Sequence, residues 1–187
     1  MKKTSFLFDT GYRVAMLSMM ALFVVTGCSA HPSNAGQDPL KQQARTDSVM
    51  LGAVGDSVYK IITEAKKIKA EEIKLHNDLT QTVITTPKDV KGKYIPLIKF
   101  VLSNPKIYGG NTTVYGQFMP CFKLTFIKKK EVCIINFDFG LKKWNVCDSN
   151  GRVIKMFDLS TVDMLRIANM LFPENDLYKK QINSEKR

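Results

Sequence analysis

Thiols and imidazoles have the greatest capacity for nucleophilic or metal chemistry, and this sequence holds four cysteines and two histidines. A catalytic thiol needs a neighbouring base or a helix N-terminus to lower its pKa. His76 is the one histidine in the part of the chain expected to fold, and it is distant in sequence from Cys121 and Cys147. A thiol paired with His76 is the alternative, but the spacing favours unreactive thiols.

Metal and phosphate chemistry find little support in the residue spacing. No two histidines or cysteines stand as close together as the ligands of structural zinc sites, and two histidines are too few for a catalytic zinc centre. A glycine-rich phosphate loop and a Gly-x-Ser-x-Gly nucleophile elbow are both missing from the sequence. We therefore expect no metal, no cofactor and no enzymatic activity. The alternative is a hydrolase or thiol enzyme whose site is assembled from sequence-distant residues.

The strongest polar cluster predicted from the sequence is Asp138 with Asn136 and Asn145, on one face of a predicted sheet. Carboxylates next to turns are ordinary turn chemistry, so an acid–base role is not required. Lys123 and Lys143 fall on the same predicted face. These five residues form the predicted contact surface for a partner.

Residues 1–27 have the layout of an export signal. Lys2, Lys3 and Arg13 supply positive charge, and an almost unbroken apolar run follows over residues 14–25. A run of that length is too short to span a bilayer core, which needs roughly 20 helical residues. The pattern therefore indicates a signal peptide.

The run ends in Val25-Thr26-Gly27-Cys28. This tetrapeptide resembles the lipobox of bacterial lipoproteins, a resemblance that covers about the first 28 residues. It implies that the Cys28 sulfur receives a diacylglycerol thioether, that cleavage occurs just before it, and that the new amine is acylated, for example by palmitate. An ordinary secretory signal with a chance cysteine is the alternative.

The resemblance implies a location outside the cytoplasm. Two or more acyl chains attach a protein stably to a bilayer, whereas one chain holds it only marginally. We therefore expect an exported protein, lipid-anchored to the bacterial cell membrane or outer membrane. Ser29, next to the cysteine, favours the outer membrane in some Gram-negative lipoproteins.

Composition divides the remainder into residues 28–47, a flexible tether, and residues 48–187, a single α+β domain. The tether is rich in Ser, Pro, Gly, Asn and Gln, which bury too little surface to order the chain. The net charge is +11, but most lysines are dispersed among glutamates. We expect no nucleic acid partner. An envelope protein or glycan is the predicted partner, and anionic lipid beside the anchor is a further possibility.

Helical periodicity predicts three helices. Apolar residues recur at helical spacing over residues 56–70, and again over residues 94–102, where Pro96 fits the first turn. A third helix is predicted over residues 160–172, with a capping-box-like start at Ser160. Residues 73–76 alternate in polarity and fit either a strand or a frayed helix end. Residues 80–93 are predicted to form a loop, and residues 178–187 to fray.

Residues 114–157 predict an antiparallel β-meander of three or four strands with helices packed on one face. A first connection over residues 127–130 would pair Phe126 with Glu131, and a turn at Gly140-Leu141 would pair Phe137 with Trp144. A two-residue turn is predicted at Asn150-Gly151. This register collects the apolar residues on one face: Phe122, Leu124, Phe126, Cys133, Ile135, Phe137, Phe139, Trp144 and Val146.

The same register separates the thiols. Cys133 falls on the apolar face, whereas Cys121 and Cys147 fall on the polar face of strands that flank the central one. Two interstrand spacings place these thiols roughly 9–10 Å apart, and a disulfide needs Cα atoms within about 7 Å. No disulfide is predicted within the sheet.

A second resemblance rests on short segments: Phe118-Met119-Pro120, residues 137–140 followed by Lys142-Lys143-Trp144, and residues 171–173. They are similar to segments of small uncharacterised lipoproteins of gut bacteria, over about a third of the chain. Those proteins have no established activity to carry over. The sequence therefore predicts a lipid-anchored envelope protein with a non-enzymatic binding domain.

Overall fold

The computed structural model describes residues 39–75, 82–110, 116–159 and 162–185. The helices are α1 (Pro39–Val54), α2 (Asp56–Glu64), α3 (Ile95–Leu102), α4 (Asp163–Leu171) and α5 (Asp176–Ser184), with short 3₁₀ turns at Gly92–Tyr94 and Pro105–Tyr108. The strands are β1 (Lys67–Leu75), β2 (Thr82–Ile84), β3 (Lys88–Asp89), β4 (Phe122–Lys128), β5 (Glu131–Asp138), β6 (Lys143–Cys147) and β7 (Val153–Asp158). Cys28 and His76 lie outside the described residues.

The fold is α+β, as predicted. Within the described ranges the strands form one antiparallel sheet in the order β2-β1-β4-β5-β6-β7, and β3 pairs separately with β1. The meander β4 to β7 is confirmed, but three or four strands was too few. The additional strands come from residues 67–89. The sequence pattern predicted a helix up to residue 70 and a loop from residue 80, and it left residues 73–76 open between a strand and a frayed helix.

Strand β1 corrects the helix predicted over residues 56–70. Helix α2 ends at Glu64, and from Lys67 onward the chain pairs with β4. Apolar and charged residues alternate here, so that Ile68 and Ala70 are buried beside Phe126 and Leu124. The apolar spacing suits a helix up to residue 65. From Lys67 onward the chain forms a strand instead, because pairing with β4 buries Ile68 and Ala70.

Helix α1 begins at Pro39, inside the range 28–47 predicted to be a tether. Residues 40–45 are mostly good helix formers, and proline is favoured in a first helical turn. Met50 and Val54, at i and i+4, are buried and join the core. Residues 38–187 form one compact unit that includes all of α1.

The β4–β5 pairing differs from the prediction by two residues. Phe126 pairs with Cys133, not with Glu131, because Lys128 and Glu131 close the hairpin around a two-residue turn. Lys129 takes a positive φ of 55° in that turn. A shift by two residues leaves every side chain on its predicted face, because side chains alternate with a period of two.

The next hairpin follows the predicted register, with Phe137 opposite Trp144. The last turn is displaced from Asn150-Gly151. Gly151 N donates to Asp148 O, so the central residues are Ser149 and Asn150. Gly151 follows with a φ of 79°, which suits a glycine after a tight turn.

The predicted apolar face of the sheet is buried, and its aromatic rings form the centre of the core. Trp144 stacks on Phe157 with ring centroids 4.7 Å apart, and its indole N–H donates to Ile107 O at 3.0 Å. Helix α2 packs on β4 and β5. Buried residues of α3, α4 and α5 join the same cluster. Large aromatic surfaces buried in this way dominate core stability.

The C-terminal helices differ in part from the predictions. Helix α4 spans Asp163–Leu171, and the predicted cap at Ser160 lies outside the described residues. Residues 178–187 were expected to fray, but residues 178–184 belong to α5. Asn175 caps that helix by accepting from Leu177 N at 3.1 Å, and Tyr178 is buried against Phe139. A capped helix with one aromatic anchor explains the ordered end.

Candidate functional site

The five residues predicted to form a contact surface share the sheet face opposite the aromatic core, as the pairs Lys123–Asn136, Asn136–Asn145 and Asp138–Lys143 require. That face is not equally open to solvent at the five residues. Asp138 and Lys143 are each 5% exposed and Asn145 is 2% exposed, while Lys123 and Asn136 are half-buried. Three of the five predicted contact residues are therefore buried, and each bonds to neighbouring groups of the chain.

Asp138 has a structural role. One carboxylate oxygen accepts from Met119 N at 2.7 Å and the other accepts from Leu141 N at 2.9 Å. The side chain thus connects the segment before β4 to the turn after β5. A buried carboxylate that accepts two backbone N–H groups holds loops in place and needs no further partner.

Both lysines of the predicted surface form ion pairs within the domain. Lys123 Nζ lies 2.7 Å from Glu71 Oε2, and both side chains are largely buried. Lys143 Nζ bonds to Asp158 Oδ1. Separating an ion pair of this kind is costly, so neither lysine is a good hydrogen-bond donor to an external ligand.

The amides form a small network with a thiol. Asn136 Nδ2 donates to Asn145 Oδ1 at 3.0 Å, and the Cys147 thiol donates to the same oxygen at 3.3 Å. Burial raises the pKa of the Cys147 thiol. Asn136, Asp138 and Asn145 therefore belong to two separate hydrogen-bonded arrangements.

A cleft of about 660 Å³ opens between the β1–β4 end of the sheet and the start of α5. Its apolar lining includes Ile73, Met119, Pro120 and Leu177. Leu177 is 66% exposed at the rim. Its polar and charged lining consists of Glu72, Lys74, Glu174, Asn175, Asp176 and Gln181. Clefts of this size that combine apolar surface with converging polar groups are the usual form of ligand sites.

The polar groups of the cleft are held in fixed positions. Asn175 Nδ2 donates to Glu72 Oε1 at 2.7 Å, while the Asn175 oxygen caps α5. The Tyr178 hydroxyl donates to Cys121 O at 3.3 Å. Because β1, β4 and α5 all meet here, these side chains are preorganised rather than assembled around a ligand.

Two titratable groups of the cleft are protonated at neutral pH. Burial raises the pKa of the Cys121 thiol to about 11, and the carboxylates of Asp138 and Glu72 act in the same direction. Burial also raises the pKa of the Tyr178 phenol. Thiols and phenols in this state donate hydrogen bonds and are poor nucleophiles.

A thiol-labelling experiment tests this protonation state. At pH 7, Cys121 should react with a small maleimide about a hundredfold more slowly than an unperturbed cysteine, because its pKa is about two units above the ordinary value of 9.0. The rate should rise about tenfold per pH unit up to pH 11. Cys121→Ser, the matched control, identifies the signal from this thiol. A fast reaction at pH 7 would contradict the assignment.

Metal and disulfide chemistry receive no support from the described residues. No group of three or more His, Cys, Asp or Glu side chains among them is arranged to hold a metal ion. The cysteines at 121, 133 and 147 are free thiols, and burial raises the pKa of Cys133 to about 12. The predicted alternative pairs of His76 with Cys121 or Cys147 involve a residue outside the described ranges.

No protein-family model matches the chain, and comparisons with curated proteins and with solved structures found no match. Within the ranges that the structure covers, no helix combines the length and apolar character needed to cross a membrane.

Sequence reasoning did not find the cleft. Glu72 lies just beyond the helix predicted over residues 56–70, and Tyr178 lies in the predicted fraying terminus. A signal was present in Asn175-Asp176, which is a typical helix start, followed by Tyr178 and Ile182 at i and i+4 spacing. The pattern predicts a short helix with an apolar stripe, although not the surface against which it packs.

Proposed function

We propose that this protein is a bacterial envelope lipoprotein, anchored through acyl chains on Cys28, whose folded domain binds an envelope protein or a glycan without catalysing a reaction. The lipobox resemblance at residues 25–28 supports the anchor. The binding site is the cleft between β1, β4 and α5.

The binding role is supported by an open cleft whose thiol and phenol are not activated for nucleophilic attack. The cleft is apolar at Met119, Pro120 and Leu177, and its Glu72 carboxylate is held by Asn175 at 2.7 Å. Its thiol and phenol have raised pKa values. A partner can therefore gain apolar contacts and hydrogen bonds here, whereas nucleophilic attack would need a lowered thiol pKa.

An envelope thiol enzyme or hydrolase is the second candidate, because Cys121 does line the cleft. Its thiol donates to Phe137 O at 3.5 Å. A carbonyl oxygen cannot accept the thiol proton as a general base, so this contact does not activate the sulfur. The labelling experiment at Cys121 distinguishes the two candidates.

Site-specific photocrosslinking tests the binding role. A benzoylphenylalanine at position 177, on the cleft rim, should give discrete adducts in intact envelopes, whether the partner is a protein or a glycan. Position 153 is the matched control, since Val153 is 56% exposed on β7 and does not line the cleft. Adducts that are equal at both positions, or missing at position 177, would contradict binding at the cleft.

A further inference from the structure

Helix α3 exposes an apolar face that its own domain does not cover. Phe100 is 73% exposed and Leu97 is 43% exposed, whereas Ile98 and Leu102 on the other side are buried in the core. Leu97 and Phe100 are three residues apart and lie side by side on the helix surface. Among the described large apolar residues, Phe100 is the most exposed.

The chain segments on either side of α3 carry lysines and no acidic residue. Residues 90–110 contain four lysines and no aspartate or glutamate. Lys91, Lys93 and Lys106, which flank α3 on both sides, are exposed. Lys93 lies in the 3₁₀ turn directly before α3, where its Nζ is 5.0 Å from the centroid of the Tyr94 ring.

Lys99 also lies on α3, but its side chain is not part of the exposed face. Its Nζ turns inward and donates to Thr63 O and Ala65 O, both at 2.7 Å, at the C-terminal end of α2. It therefore fixes α3 to the domain and leaves the Leu97–Phe100 face directed outward. The exposed face consists of two large apolar groups flanked by lysines.

We propose that the Leu97–Phe100 face of α3 docks on an anionic membrane surface. An aromatic and an aliphatic side chain can enter the boundary between headgroups and acyl chains, and lysines beside them are attracted to acidic lipid. This inference rests on the proposed function in one respect: acyl chains on Cys28 would hold the domain next to such a surface. The docked face is distinct from the cleft, which contains no residue of α3.

Tryptophan fluorescence tests the proposal with the mature protein, purified from envelopes and reconstituted in vesicles of phosphatidylcholine and phosphatidylglycerol that contain brominated lipid. Phe100→Trp should lose most of its added emission through contact with the bromine atoms and shift to shorter wavelength. Leu177→Trp is the matched control on the cleft rim, where the native residue is 66% exposed, and it should be unaffected. The native Trp144 is buried and gives a constant background.

Charge dependence is the second readout. Vesicles of phosphatidylcholine alone should quench Phe100→Trp much less, and adding Lys91→Glu and Lys93→Glu should remove the quenching on anionic vesicles. Both lysines are exposed, so thermal unfolding of this variant should be unchanged.

Three outcomes would overturn the proposal: no quenching at position 100, equal quenching at positions 100 and 177, or a vesicle-independent shift with formation of a dimer. The last would assign the face to a second copy. Mass spectrometry of the same samples reports acylation of Cys28. Quenching without acylation of Cys28 would support the docking face and contradict the anchor. Acylation without quenching would support the anchor and contradict the docking face.

Discussion

Cys28→Ser is expected to abolish fatty acid incorporation completely. A diacylglycerol thioether needs the cysteine sulfur, and the modified residue is also the expected new N-terminus, so one substitution removes every acyl chain. Without two or more chains the mature domain has no stable attachment to a bilayer. Metabolic labelling with palmitate, followed by immunoprecipitation, measures the effect.

Cys121→Ser and Cys147→Ser are the controls for that experiment. Both thiols lie within the folded domain, and burial raises the pKa of each, so neither is a good acceptor for an acyl group. Labelling in these variants should equal that of the parent. Label that persists in Cys28→Ser, or that the parent never acquires, would reject the anchor.

Asp138→Ala is expected to destabilise the domain by about 3 kcal/mol, because two backbone N–H groups lose their acceptor in a buried position. Met119, whose N–H is one of the two, lines the cleft. For a domain of this size the thermal midpoint should fall by about 10 °C. Thermal or urea unfolding, followed by circular dichroism, measures the loss.

Two variants provide the comparison. Asp138→Asn keeps one oxygen acceptor and should lose less stability. Asp148→Ala removes a carboxylate that also accepts backbone N–H groups, from Asn150 and Arg152, but in an exposed turn where water can replace it. Its effect should be smaller. An Asp138→Ala protein with unchanged stability but no crosslinking at position 177 would make Asp138 a ligand contact and contradict its structural role.

The central meander was predictable because its pattern is local. Aromatic and aliphatic residues alternate with polar ones from Phe122 to Val146, and one face of a sheet must be buried. The faces were therefore correct even though the β4–β5 register was two residues out. The error came from the turn, since a lysine at positive φ gives no sequence signal of the kind that glycine or asparagine gives.

Strand β1 was missed because its residues satisfy two patterns at once. Ile61, Ile62, Ala65 and Ile68 continue a helical spacing, and the alternation that indicates a strand becomes clear only beyond Lys67. Pairing with β4 decides between them, and that pairing joins residues fifty or more positions apart. Tertiary contacts of this range are not visible in a local window.

The candidate site was hidden for the same reason. Glu72, Cys121 and Tyr178 come from three distant segments and meet only once β1, β4 and α5 are packed together. The polar residues that the sequence did place together, Asn136, Asp138 and Asn145, are used for internal hydrogen bonds. This polar cluster on a sheet face therefore supports the fold.

The proposed location of the protein depends on a lipid-modified N-terminus, so the first residue of the mature chain is its most direct test. Mass spectrometry of the N-terminal peptide, from protein isolated from its native envelope, should find a chain that begins at Cys28 and carries a diacylglyceryl group and a further acyl chain. A chain that still begins at Met1, or one whose first cysteine bears no fatty acyl groups, would contradict it.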